Sequence, residues 1–254
     1  MKRLLMGIIV AVTATYMGFC LILFFSQRTL IYFPTGAAQM EPAATETLSV
    51  PDASLRLSTR PQEGPSALIY FGGNAEDVSG SLGAFADEFP DHAIYMLHYR
   101  GYGGSSGKPT EEALHSDARA LYEMVHARHP DVIVVGRSLG SGVAVQLAAT
   151  RQVTRLVLIT PFDSIVNLAS RQFPFVPVDL LLWDRFESWR YAPQVTAPTL
   201  IIAAANDEVV PRESTLALFN AFGPGVATMT TIAGAGHNSI SGKPGYMAAV
   251  RGQE

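Results

Sequence analysis

The chain has 254 residues, a formal net charge of −4, and 48% hydrophobic against 16% charged residues. That is material for one well-filled domain plus an appendage, and with no basic stripe it makes no electrostatic case for a nucleic-acid partner. The single cysteine, Cys20, excludes an internal disulfide; no H-E-x-x-H or Cys/His cluster points to a metal, and no cofactor is expected.

The N-terminus comes first. Lys2 and Arg3 precede an uncharged run over residues 4–25, which as a helix covers roughly 33 Å against a bilayer core of ~30 Å. A secretory signal peptide would have a shorter apolar core and end on small residues; here the run ends at Phe24 and Phe25. A lipoprotein signal would place small residues before Cys20, but Phe19 stands there. An uncleaved signal-anchor over residues 1–28 is therefore expected, with a cleaved signal peptide or a buried core helix as alternatives. Lys2, Arg3 and the amino terminus outweigh Arg28 beyond the span, and the acidic Glu41, Glu46 and Asp52 follow. The positive-inside rule then puts the N-terminus in the cytoplasm and the remainder on the non-cytoplasmic side. Residues 29–45 read as a linker, with Arg28, Tyr32 and Phe33 as an interfacial collar.

From residue 46 strand and helix signals alternate. TETLSV and SLRLST flank Pro51-Asp52-Ala53, an expected antiparallel hairpin. SALIYFGG is a buried strand, residues 77–89 have helical spacing, and HAIYMLHYRG is a further strand. Residues 110–129 read as a helix capped by Thr110, with Glu111 and Glu112 in its first turn. DVIVVG, TRLVLIT, PTLIIAAAND and VATMTTIAGAGH read as strands, with helices after Ser138, over 213–222 and over 245–250. Continuous apolar strands alternating with helices imply a mostly parallel sheet covered on both faces, so 46–254 is expected to be one domain. Residues 164–191 break the rhythm with three apolar-aromatic clusters. They are expected to form a small helical cap over the carboxyl ends of the strands; the alternative is a crossover helix with a long loop.

Between strand DVIVVG and the next helix lies Gly136-Arg137-Ser138-Leu139-Gly140. A G-x-S-x-G turn between strand and helix exposes a serine hydroxyl on a strained backbone. Such a hydroxyl needs a base to take its proton, which predicts an acid and then a histidine at the ends of later strands. Asp207 and His237 occupy those places, in the order this motif requires. His237 is the expected base and then acid; Asp207 would orient it. Asp163 is the rival acid, Glu208 is less well placed, and the other five histidines fall in strand or helix contexts. The expected oxyanion donors are the backbone N–H groups of Leu139 and Asn74, with Gly73 the alternative to Asn74. Phe173, Phe175 and Trp183, with Leu180, Leu181 and Leu182, are candidates for an acyl or aromatic pocket. YRGYGGSSGKPTEE suggests a phosphate cradle but lacks the required spacing, since Lys108 is followed by Pro109; it is expected to be a glycine-rich turn beside the site.

These segments together resemble the α/β-hydrolase superfamily, and within it the membrane-anchored Bem46-like group with α/β-hydrolase domain-containing proteins 13 and 17. The resembling stretches are YFGGNAEDVSG, YRGYGGSSGKPTEE, VVGRSLGSGVAVQLA, TPFDSI, FPFVPVDLLLWDRFES, APTLIIAAANDEVVP and GAGHNSI. The resemblance implies the α/β-hydrolase fold and a serine hydrolase with Ser138, Asp207 and His237 as triad. It departs at Gly72, where the group usually has a histidine; a backbone oxyanion donor can survive that change, so the site is kept. The expected function is an anchored serine hydrolase acting on small or lipid-like acyl esters or thioesters. The rivals are a peptidase of prolyl-oligopeptidase type and a non-catalytic, membrane-tethered binding protein on the same scaffold.

Overall fold

Apolar residues on both faces of the strands dictate the architecture. In strand β3 (Ser66–Phe71), Ala67, Ile69 and Phe71 face one buried cluster, while Leu68 and Tyr70 face another. A strand buried on both sides must be flanked by helices on both sides. The structure, a computed structural model, describes residues 1–36 and 44–252. The other strands are β1 (Ala44–Val50), β2 (Ala53–Arg60), β4 (Ala93–Leu97), β5 (Asp131–Arg137), β6 (Arg155–Ile159), β7 (Thr199–Ala204) and β8 (Ala227–Ile232). They form one sheet in the order β1-β2-β4-β3-β5-β6-β7-β8. The expected hairpin is present: β1 and β2 pair antiparallel, with Leu48 opposite Leu55, around a turn with Asp52 at φ 61°. β2 is also antiparallel to β4; every pair from β4 to β8 is parallel.

Helix α1 (Lys2–Ile31) runs past its expected end at residue 28. It is long and apolar enough to cross a membrane by length and composition. Residues 37–43 of the expected linker lie outside the described residues. The helical segment expected over 77–89 is a 3-10 turn, Val78–Ser81, leading into α2 (Leu82–Glu88); the Asp77 side chain accepts the Ser79 N–H at its start. Helix α3 (Glu111–His126) has the expected cap, with Thr110 Oγ1 accepting the Ala113 N–H at 3.1 Å. It stops short of residue 129 because His129 turns inward, 2.8 Å from the Gly64 carbonyl and 3.3 Å from the Tyr95 hydroxyl. Helix α4 (Leu139–Thr150) follows β5 directly. Between β6 and β7 lie the short helices α5 (Ile165–Gln172), α6 (Val178–Leu181) and α7 (Ser188–Tyr191), the expected cap. Helices α8 (Arg212–Ala221) and α9 (Tyr246–Arg251) complete the chain.

Candidate active site

The sharp turn from β5 into α4 places Ser138 at φ 48°, ψ −115°, a conformation L-residues adopt only under tertiary constraint. The constraint is close packing. A Cβ on Gly136 would lie 2.4 Å from the Gly140 carbonyl oxygen, and one on Gly140 would lie 2.1 Å from that of Phe71. Both flanking positions therefore need glycine, because α4 leaves the sheet in contact with β5 and the end of β3. The Ser138 N–H donates to the Ile159 carbonyl at 2.9 Å and holds the turn on β6.

The parallel order brings the ends of β5, β7 and β8 to the same edge. Asp207 follows β7 and His237 follows β8; their loops are joined by the Asn206 N–H donating to the Ala235 carbonyl at 2.8 Å. His237 Nε2 lies 2.9 Å from Ser138 Oγ, and its Nδ1 lies 2.9 and 3.0 Å from the two Asp207 carboxylate oxygens. The imidazole is buried. Burial opposes ionisation of Asp207, yet the hydrogen bonds from His237 and from the Val209 and Val210 N–H groups hold its carboxyl below the usual range. A carboxylate kept ionised against one ring nitrogen leaves the other free to accept a proton, which is what a hydroxyl nucleophile needs. Asp163, the rival acid, is committed elsewhere: its oxygens accept from Ser214 and Asn167. Glu208 has a different part, accepting the His237 N–H at 3.0 Å. A Cβ on Gly236 would meet that carboxylate at 2.6 Å.

The loop after β3 separates the two donor candidates. The Gly73 N–H is spent on Glu76 Oε2 at 2.6 Å, so the alternative donor is occupied. The Asn74 N–H makes no hydrogen bond among the described residues, and Asn74 lines the same cavity as Ser138 and Leu139. Leu139 is the first residue of α4, where the backbone N–H has no partner within the helix. The Asn74 side chain is fixed from several directions. Its Oδ1 accepts from the Tyr102 hydroxyl at 2.7 Å and the Phe33 N–H at 2.9 Å, and its Nδ2 donates to the Ile31 carbonyl at 2.6 Å.

Glu76 escaped the sequence reading and is the hub of this loop. Besides Gly73 it accepts from the Tyr70 hydroxyl at 2.8 Å and the Ser81 hydroxyl at 3.1 Å, and it pairs with Arg137 at 3.3 Å. Gly72, the departure from the resembling group, has no room for a side chain: a Cβ there would lie 2.4 Å from Val78 Cγ1. Its carbonyl is held by the Tyr99 hydroxyl at 2.9 Å. Glu76 and Tyr99 thus support the loop without a histidine.

A cavity of about 450 Å³ opens at Ser138, within the size range of small-molecule sites. Its walls are largely apolar: Phe162, Val209 and Val210 lie on the loops after the strands, Leu168, Phe173 and Leu181 come from the cap, and Leu23, Phe24 and Leu30 from α1. Phe173, Leu181 and Leu182 stand where the pocket was expected. Phe175 and Trp183 do not line the cavity. Phe175 is 86% exposed, and its carbonyl accepts from the Tyr16 hydroxyl. Trp183 turns outward, edge-on to Phe24 at 4.7 Å and beneath the Arg28 guanidinium at 5.3 Å.

Residues 67–191 match the family described as alpha/beta hydrolase fold. An uncharacterized protein of Mycobacterium tuberculosis is 34% identical, covering 80% of this chain and 77% of that one. Alpha/beta hydrolase domain-containing protein 17B of Homo sapiens is 32% identical (68% and 60%), and protein bem46 of Schizosaccharomyces pombe 28% (94% and 88%). Among solved structures, the esterase Pf2001 of Pyrococcus furiosus superposes with a TM-score of 0.70 at 16% identity, over 87% of this chain and 97% of that one. The chain belongs to the α/β-hydrolase family, in its Bem46-like group.

Proposed function

We propose that this protein is a membrane-anchored serine hydrolase that cleaves carboxylic ester or thioester bonds through an acyl-enzyme on Ser138. The observation that carries the reading is the continuous Ser138–His237–Asp207 hydrogen-bond chain, with Ser138 in the wall of a largely apolar cavity. His237 takes the Ser138 proton as Oγ attacks the acyl carbon; the oxygen that gains charge is received by the N–H groups of Leu139 and Asn74. His237 then returns the proton to the departing alcohol or thiol. Water, deprotonated by the same imidazole, releases the acid and restores Ser138. An apolar cavity of this size favours an acyl chain over a polar peptide. Helix α1 serves as the anchor, with Lys2 and Arg3 on the cytoplasmic side and the hydrolase domain on the other.

The test is labelling by a fluorophosphonate probe of membranes carrying the wild type, Ser138→Ala or His237→Ala, followed by ester, thioester and peptide substrates. Labelling is expected of the wild type alone, with turnover of esters or thioesters. A folded wild type that does not label would refute the catalytic reading, and a preference for peptide amides would transfer it to a peptidase.

A further inference from the structure

The cap and α1 touch along a length that conflicts with a hydrolase domain standing clear of the bilayer. Contacts run from Tyr16, whose hydroxyl donates to the Phe175 carbonyl at 2.8 Å, to Gln27, which accepts the Trp183 N–H at 2.7 Å and donates to the Leu181 carbonyl at 3.2 Å. Arg28 closes the series with an ion pair to buried Asp184 at 3.0 Å. Tyr16, Cys20, Leu23, Phe24 and Gln27 repeat at helical spacing, and the cap contacts of Tyr16, Phe24 and Gln27 fall on that one face of α1. Residues 4–15, between charged Arg3 and Tyr16, are all exposed. They cover only roughly 18 Å at ~1.5 Å per residue, while the hydrocarbon core is ~30 Å thick. If α1 spans the core, roughly 12 Å more must come from the stretch that begins at Tyr16, and that stretch carries the cap with it.

We infer that the tip of the cap, the α5–α6 connection and the outer face of α6, is seated in the acyl region of the leaflet that surrounds the second half of α1, and that acyl chains reach Ser138 from that leaflet. This rests on the anchoring reading of α1. It accounts for the two most exposed apolar side chains of the cap, Phe175 at 86% and Leu180 at 84%, which would otherwise face water. It also accounts for the cavity's wall. Leu23 and Phe24 of α1 and Phe173, Val176 and Leu181 of the cap line the same cavity as Ser138. A chain lying in the leaflet can enter between these residues while its ester group stays near the level of Arg28, and the scissile bond never has to leave the interface. The substrate class is then a long-chain acyl ester or thioester resident in the bilayer, rather than a soluble one.

The experiment uses the full chain in phosphatidylcholine–phosphatidylglycerol vesicles, in a Cys20→Ala background, with a bimane label at Ile9→Cys, Phe175→Cys, Leu180→Cys or Glu63→Cys. Quenching by a phospholipid with a nitroxide on its acyl chain is compared with quenching by aqueous iodide. Labels at 9, 175 and 180 are expected to be quenched by the lipid nitroxide at least twofold more than the label at 63. Lipid quenching at 9 with only iodide quenching at 175 and 180 would overturn the inference and leave the anchor intact. No lipid quenching at 9 would overturn the anchor and the inference with it. In the same vesicles the Phe175→Asp, Leu180→Asp double variant should lose at least tenfold in turnover of a bilayer-resident long-chain ester while turning over soluble p-nitrophenyl acetate as before. Unchanged turnover of the bilayer substrate would overturn the access route.

Discussion

Removing the Glu76 carboxylate tests whether the oxyanion loop is held as described. Glu76→Gln keeps the volume. The amide oxygen can still accept from the Gly73 N–H, and its nitrogen can donate to the Tyr70 and Ser81 hydroxyls, which rotate to accept. What is lost is the charge opposite Arg137, whose side chain is only 14% exposed; a hydrogen bond to a charged group contributes about 1.5–3 kcal/mol. Glu76→Ala removes every acceptor. Arg137 is then a buried charge without its carboxylate, which costs about 3–5 kcal/mol, or a Tm lower by roughly 6–20 °C for a chain of this length. The Gly72–Asn74 turn also loses its tether to β5, and displacing the proposed oxyanion donor at Asn74 should cost about 10²–10³ in kcat. The assay is kcat on p-nitrophenyl butyrate beside a thermal melt. Glu76→Gln should melt lower with kcat within about tenfold of wild type, whereas Glu76→Ala should lose both. A Glu76→Ala protein with unchanged kcat would refute the claim that Glu76 positions the loop.

The two glycines of α4 make a contrasting pair. Gly140→Ala drives a Cβ into the Phe71 and Gly72 carbonyls at 2.1 and 2.7 Å, all backbone that cannot swing away, whereas Gly142→Ala meets the Phe186 ring at the longer distance of 2.9 Å and no backbone atom. Overpacking should cost Gly140→Ala about 1–3 kcal/mol and most of its kcat, and Gly142→Ala clearly less; equal melts would contradict the packing. Stability should also fall in acid. Burial, first of all, lowers both His98 and His115 to about 4, so both are neutral in the fold but protonate near 6.5 when unfolded. The unfolded chain binds more protons in that window, so the stability they contribute is whole above pH 6.5 and is lost as pH falls toward 4, by roughly 3 kcal/mol each. Asp207, whose carboxyl is depressed, adds a loss in the same direction as pH falls through its folded value. A Tm that stays level from pH 6.5 to 4 would refute this.

How much of this was legible in the sequence depends on the range of the forces that set each feature. Strands β3 to β7 and the Ser138 turn declare themselves locally, through continuous apolar runs, with glycine at the ends of β3 and β5, because both faces of a central strand are buried whatever packs on them. Asp207 and His237 were legible because a parallel sheet sends the ends of its strands to one edge, so chain order predicts proximity. Glu76 was missed although a signal was present: an acid three residues after Gly73, accepting its N–H much as the third residue of a helix reaches back to its cap. Phe175 and Trp183 were misplaced for a different reason. Residues 173–187 hold one helix of a single turn, α6, among prolines and turns, and without a sustained period hydrophobicity does not reveal which way a side chain faces. The same limit hid the wall that α1 gives the cavity. A helix apolar enough to cross a membrane is hydrophobic all round, so no periodicity distinguishes Leu23 and Phe24, which line the cavity, from Ile22 and Phe25, which are exposed. Only docking against the cap separates them, and under the proposed anchoring the same docking ties the depth of the site in the bilayer to the length of helix left free.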